Sequence, residues 1–157
     1  MTKADYIHHM AAHKAKMYRI AFTILKNDVD VQDALQAAAL KAWEKLHTLK
    51  NEAFFSTWVV RILINECYQI RRHQKRVIYM DQLPETVSTS EGITLRLLME
   101  ALPEKLRLPF TMKYVEGMKA EDIAYALHTT QSAVNSRIHR AKTILRKELN
   151  EDERNIR

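Results

Sequence analysis

In the stretch "TWVVRILINECYQIRR", Thr57 to Arg72, helical winding gathers Trp58, Arg61, Asn65, Tyr68, Gln69 and Arg72 on one side. Val59, Val60, Leu63, Cys67 and Ile70 fall on the other. The chemistry such a set supports is recognition, not bond-making. Rings stack on unpaired bases, guanidinium groups follow a phosphate backbone, and an amide pairs with a splayed base edge. A Trp at a helix start is often a core residue, so the reading rests on the combination and not on Trp58 alone.

A second stretch, "ALHTTQSAVNSRIHRAK" from Ala126 to Lys142, poses a related question. A short helical pattern, "EDIAYAL", ends at Leu127 with Ile123, Ala124 and Leu127 inward. After "HTT" a longer pattern begins at Gln131. At about 100° per residue, Val134, Ile138, Ala141, Leu145 and Leu149 form an apolar stripe. Ser132, Ser136, His139 and Thr143 lie opposite, flanked by Asn135, Arg137 and Arg140. Two helices joined by a tight turn make a helix-turn-helix. A helix enters the major groove only if its outer side chains are slim enough to approach base edges, while flanking arginines reach phosphates. An ordinary amphipathic terminal helix shares the stripe but needs neither the tight turn nor the serine-rich outer face. The turn carries His128 where glycine is common, so His128 is expected in the left-handed region.

Other chemistries find less support. "HHMAAH" sets His9 and His13 one helical turn apart with His8 adjacent, but no acidic or cysteine partner completes a metal site. Two glycines in the chain leave no phosphate-cradling loop, and no nucleophile elbow or zinc-protease pattern occurs. Neither a metal nor a cofactor is expected. The lone Cys67 excludes an internal disulfide, fits a reducing compartment, and falls on an apolar helix side as a buried thiol.

The elements that must position these faces are helices. Only 2 Gly and 3 Pro punctuate 157 residues, of which 46% are hydrophobic. An all-α protein of two small helical domains is therefore expected, the first spanning 1–76, the second 95–157, with a tether over 77–94. Residues 3–25 read as one helix with Met10, Met17, Ile20, Ala21, Ile24 and Leu25 inward, stopped by Asn27 and Asp28. A helix from about Val29 to Leu46 follows, with Val31, Ala34, Leu35, Ala38 and Leu46 apolar and Asp33, Gln36, Lys41 and Glu44 outside. Its alanines allow close approach to another helix, within the chain or on a partner. A loop leads to a third helix, Phe55 to Arg76. A short helix is predicted to end at Leu102. Pro103 starts another that Gly117 stops, with a kink or restart at Pro109. Helices over 119–127 and 131–149 complete the set.

Charge is distributed unevenly. Residues 1–76 carry 13 Lys/Arg against 7 Asp/Glu, residues 77–102 carry 1 against 4, and residues 103–157 carry 11 against 8. Two basic blocks flanking an acidic segment suit a polyanionic partner, and nucleic acid above all. No run approaches the ~18 apolar residues a membrane span needs, so a cytoplasmic protein is expected.

Together these residues resemble a known family. "DVDVQDALQAAALKAW" followed by "FFSTWVVRILIN" and "RR" is similar to the second conserved region of extracytoplasmic-function (ECF) sigma factors. "LPEKLRLPFTMKYVEGMKAEDIAYALHTTQSAVNSRIHRAKTILR" is similar to their fourth region. The likeness covers roughly residues 15–76 and 95–147, in the family's order.

The resemblance implies a protein that mounts on core RNA polymerase, directs it to promoter DNA and helps open the duplex. The helix with Asp33, Gln36, Lys41 and Glu44 would dock on the clamp helices of the largest polymerase subunit. Loop residues Leu49, Lys50 and Asn51 and the face with Trp58, Arg61, Asn65 and Arg72 would trap unstacked bases of the minus-10 element. Ser132, Asn135, Ser136, Arg137, His139 and Arg140 would read the minus-35 element as duplex. The acidic tether would thread near the polymerase active-site channel. A membrane-anchored anti-sigma factor would hold the protein silent. This chain has Ala37 where the family usually has an acidic residue, and Leu49 where many members carry an aromatic. Two rival readings predict different behaviour. A stand-alone helix-turn-helix regulator would bind a palindrome without polymerase, and a helical adaptor with no DNA role would tolerate charge loss on these faces.

Overall fold

The structure is a computed structural model that describes residues 1–74 and 97–156, with side chains to residue 151. The tether expected over 77–94 and the last two residues of the predicted third helix lie outside the described residues. Among those described, no strand occurs. They fall into two compact units, one centred on the first three helices and the other on residues 97–124 and 130–156.

In the first unit, α1 spans Lys3–Leu25 and α2 spans Asp28–Glu44. Thr2 caps α1: its hydroxyl accepts the Asp5 N–H at 3.1 Å, and the Asp5 carboxylate accepts the Thr2 N–H at 2.9 Å. These hydrogen bonds hold the Asp5 carboxyl below its usual range. Lys26 ends the helix in the left-handed region, at φ 61°, with its N–H on the Phe22 carbonyl. Asn27 then caps α2 by accepting the Asp30 N–H at 2.8 Å. Two caps in succession fix a tight corner, so α1 and α2 fold back on each other.

Helix α3 spans Phe55–Gln74 and packs on both α1 and α2. Met17, Ile20, Ala21, Ile24 and Leu25 of α1 are buried, as predicted. Met10 is only half-buried. Nearer the N-terminus Tyr6 takes over the packing, and its hydroxyl donates to the Ala39 carbonyl of α2. Val31, Ala34, Ala38 and Ala42 of α2 are buried, so the alanine side serves packing within the chain. Helix α2 ends at Glu44, two residues before the predicted stop, because Leu46–Thr48 tighten into a 3-10 turn. A second such turn, Glu52–Phe54, leads directly into α3.

The second unit begins with a helical turn at 97–100, followed by α4, Glu104–Tyr114, with Pro103 as its cap. Of the kink or restart predicted at Pro109, the restart does not occur: one helix spans the whole segment. Pro109 lies in the second turn, where its missing N–H forgoes one hydrogen bond, to the Lys105 carbonyl, and its ring is buried. Gly117, at φ +67°, turns the chain so that the Met118 N–H reaches the Met112 carbonyl at 3.0 Å. Helix α5 spans Ala120–Ala126, and α6 spans Gln131–Ile156. Leu102 and Leu106 pack with Ala141 and Leu145 of α6, flanked by Leu98, Phe110 and Ile144. That cluster ends the buried stripe of α6 at Leu145. Leu149, predicted on the stripe, is 46% exposed. The helix nonetheless continues beyond residue 149, since no Gly or Pro stops it.

Candidate nucleic-acid interface

The outer face of α3 is anchored from beneath. Phe55, 1% exposed, has the rings of Tyr6, His9, His13 and Trp58 around it at centroid distances of 6.1, 5.1, 6.0 and 5.9 Å. Trp58 is therefore half-buried: one part of its ring packs on Phe55 and the rest reaches solvent. Part of the ring is thus core and part remains accessible. Asn65 and Arg72 are exposed, and Arg61 lies between Trp58 and Asn65 on the same helix side. Tyr68 carries the Arg71 guanidinium over its ring at 6.0 Å.

The loop before α3 is built around Asn51. Its side-chain oxygen accepts the Ala53 N–H at 3.0 Å and opens the 3-10 turn. Lys50 is exposed and Leu49 half-buried. Asn51 thus shapes the loop that presents Lys50.

On α2, Asp33, Gln36 and Glu44 are exposed. Lys41 is not a simple outward charge: its ammonium pairs with the carboxylate of Glu66 on α3, which is buried. The pair ties α2 to α3 one residue from Asn65. Sequence periodicity hides this partner, because Glu66 reads as one more polar residue of an amphipathic helix. The exposed side of α2 also holds Val29, Leu40 and Trp43, at 71%, 62% and 43% exposure. Their spacing with Asp33 and Gln36 was the available signal.

The helix-turn-helix forms as predicted. His128 adopts φ 54°, the left-handed conformation the turn requires. Thr130 caps α6 by accepting the Ala133 N–H at 3.1 Å. Ser132, Asn135, Ser136, His139, Arg140 and Thr143 are all exposed, and Arg137 is half-buried. Val134, Ile138 and Ala141 are buried on the opposite side. Lys142 leaves the outer face to sit over the Tyr114 ring, 5.0 Å from its centroid. The result is a narrow convex face of small polar groups with cations at its edges, shaped for a groove.

Of the N-terminal histidines, His8 is exposed and the other two are packing residues. His9 and His13 lie against Phe55, and burial, with Lys16 nearby, holds the His13 pKa below the usual imidazole range. Among the described residues no group of three metal-ligating side chains occurs. Burial pushes the Cys67 thiol up to about 12. No described helix is long and apolar enough to cross a membrane.

Fold and faces together define a two-part helical protein with a helix-turn-helix at α5–α6. Comparison narrows the class. The family model for Sigma-70 region 2 matches residues 9–77, and that for Sigma-70, region 4 matches residues 93–145. The chain belongs to the ECF group of the sigma-70 family, whose members regulate transcription. It is 28% identical over 160 residues to the RNA polymerase sigma factor SigV of Bacillus subtilis, covering 97% of this chain and 95% of that protein. It is 28% identical over 134 residues to the ECF RNA polymerase sigma-E factor of Escherichia coli K12, covering 72% and 70%. The same fold occurs in the sigma factor RpoE of Bartonella quintana, solved with the anti-sigma factor NepR. The TM-score is 0.78 at 19% identity, covering 93% of this chain and 97% of that one. It also occurs in CnrH, solved with the cytosolic domain of CnrY, at TM-score 0.72 and 21% identity, covering 96% and 91%.

Proposed function

We propose that the protein is an alternative sigma factor that binds core RNA polymerase and directs it to start transcription at a specific set of promoters. One observation carries the reading. A region-2 match with an aromatic, basic and amide face and a region-4 match with a slim helix-turn-helix face occur on one chain, in that order. A stand-alone regulator has no use for the first.

Residues 1–76 form the module that docks on polymerase and holds the minus-10 element, 95–157 the module that reads the minus-35 element, and 77–94 the tether. Asp33, Gln36 and Glu44 supply polar contacts to polymerase, with Lys41 at the edge of that surface. Trp58, Arg61, Asn65 and Arg72, with Leu49, Lys50 and Asn51 in the loop, hold separated bases of the minus-10 element. Ser132, Asn135, Ser136 and His139 approach base edges of the minus-35 element, while Arg137 and Arg140 neutralise phosphates. The chain performs no catalysis, and bond formation belongs to the polymerase. It works in the cytoplasm, without metal or cofactor. A membrane-anchored anti-sigma factor covers its working faces until a signal releases it. The solved complexes of RpoE with NepR and of CnrH with CnrY support that mode of control.

Run-off transcription from a randomised promoter library tests the function. Purified core polymerase plus this protein yields discrete transcripts, and either component alone yields none. Transcripts from core polymerase that do not change when the protein is added would remove the reading.

A further inference from the structure

The outer stripe of α3 does not begin at Trp58. Counted back at about 100° per residue, Phe54 falls within about 40° of Trp58, Arg61, Asn65, Tyr68 and Arg72. It is the next ring along the same line, one turn nearer the loop. Phe54 is 60% exposed, whereas Phe55 beside it is 1% exposed. Adjacent phenylalanines with opposite exposure show that the backbone, and not chance, turns the first one outward. That backbone is fixed. The Phe54 N–H donates to the Asn51 carbonyl at 3.1 Å, Asn51 caps the same turn through Ala53, and Phe55 is pinned among Tyr6, His9, His13 and Trp58. The ring therefore stands on a rigid turn at almost no ordering cost. Lys50, exposed in the same loop, and the arginines along α3 give the surroundings the sign that a phosphate backbone requires. Leu49, half-buried nearby, has no π-face to offer.

We propose that Phe54 is a base-stacking position. Its ring takes the face of an unpaired base of the opened promoter strand, at the loop end of the stripe on which Asn65 sits. The inference rests on the proposed function and adds a contact residue to it. An exposed apolar ring on a hydrogen-bonded turn, in the same loop as the exposed Lys50, fits a flat aromatic base attached to an anionic backbone.

The test uses holoenzyme assembled from the full chain and core polymerase. The DNA is a promoter fragment selected from the run-off library, with 2-aminopurine placed singly at each non-template position of the melted stretch. With the natural protein, one position stays quenched after opening because its base is stacked. Phe54→Ala and Phe54→Leu both raise the fluorescence at that position and shorten the open complex's lifetime by roughly 5- to 100-fold, the range for losing one base–ring stack. Phe54→Trp keeps the quenching. All three variants co-elute with core polymerase as the natural protein does. Unchanged quenching in Phe54→Ala, natural behaviour in Phe54→Leu, or loss of co-elution would each overturn the proposal. If the natural protein opens no promoter, the functional reading fails and this inference falls with it. If the natural protein opens the promoter and Phe54→Ala matches it, only this inference fails.

Discussion

Under the proposed function, the two units meet DNA with opposite surfaces. The proposed minus-10 face of α3 is aromatic and half-sunk, with Trp58 packed on Phe55 and, next to Asn65, a buried Glu66 paired with the part-exposed Lys41. The working face of α6 is small, polar and wholly proud of the fold, with Ser132, Asn135, Ser136 and His139 exposed in sequence along one side. The difference follows from the state of the ligand. A separated base offers a π-face that must be met by a ring, and rings reward partial burial. A duplex offers only edges within a groove, and bulky side chains would keep the helix out. In the proposed function one chain carries both solutions, because opening a promoter requires reading it first closed and then unpaired.

Substitution separates the two faces. Asn65→Ala should produce the largest effect: loss of a bidentate amide contact is worth about 1–3 kcal/mol, up to roughly 100-fold in opening. Permanganate footprinting should then show a bubble lost or shortened while polymerase docking persists. An unaltered bubble would place base capture elsewhere.

Next comes Lys41→Met. It leaves the buried Glu66 carboxylate without its partner, which should lower the stability of the first unit by about 1–3 kcal/mol. Unfolding of the second unit, followed by its own probe in a denaturant titration, should be unmoved. Equal loss in both units would contradict the separation drawn here.

Arg140→Ala sits lower, at about 3- to 10-fold weaker promoter binding for one phosphate contact. It should reduce the slope of log affinity against log salt by about 0.9. The loss should be uniform across promoter sequences, unlike that of Asn65→Ala.

The smallest and cleanest probe is the single cysteine. Cys67 is buried in the first unit with its thiol raised to about 12, so it is protonated and inert at neutral and mildly alkaline pH. The unfolded thiol ionises near 9.0. Stability from this group is thus fully present below pH 9 and declines as pH rises toward 12. Thiol labelling at pH 8 should therefore proceed only through opening of the first unit, and its rate should rise in Lys41→Met but not in Arg140→Ala. Rapid labelling of the native protein would show that α3 does not seal Cys67.

Much of this was legible in the sequence, for a local reason. The ends of α1 and the start of α2 depend on Thr2, Asp5, Asn27 and the residues beside them, so they can be read from neighbours alone. The helix-turn-helix is equally local, including the left-handed backbone at His128. What escaped depends on contacts distant along the chain. The partner of Lys41 lies on another helix, so periodicity alone listed the lysine as solvent-facing. The burial limit at Leu145 is set by Leu102 and Leu106 of the opposing segment, which the apolar stripe through Leu149 cannot reveal. Phe54, Leu40 and Trp43 are exposed apolar residues that neither the inward stripe of α2 nor the face read on α3 includes, because periodicity alone does not tell which apolar side chains stay in solvent.

The most direct measurement is binding of a labelled promoter fragment by the protein alone, by core polymerase stripped of its native specificity subunit, and by the two together. The account predicts a salt-sensitive, promoter-specific complex only in the third mixture, with all three components in one gel-filtration peak. A specific complex between the protein and DNA without polymerase, or failure of the protein to join the polymerase peak, would contradict it.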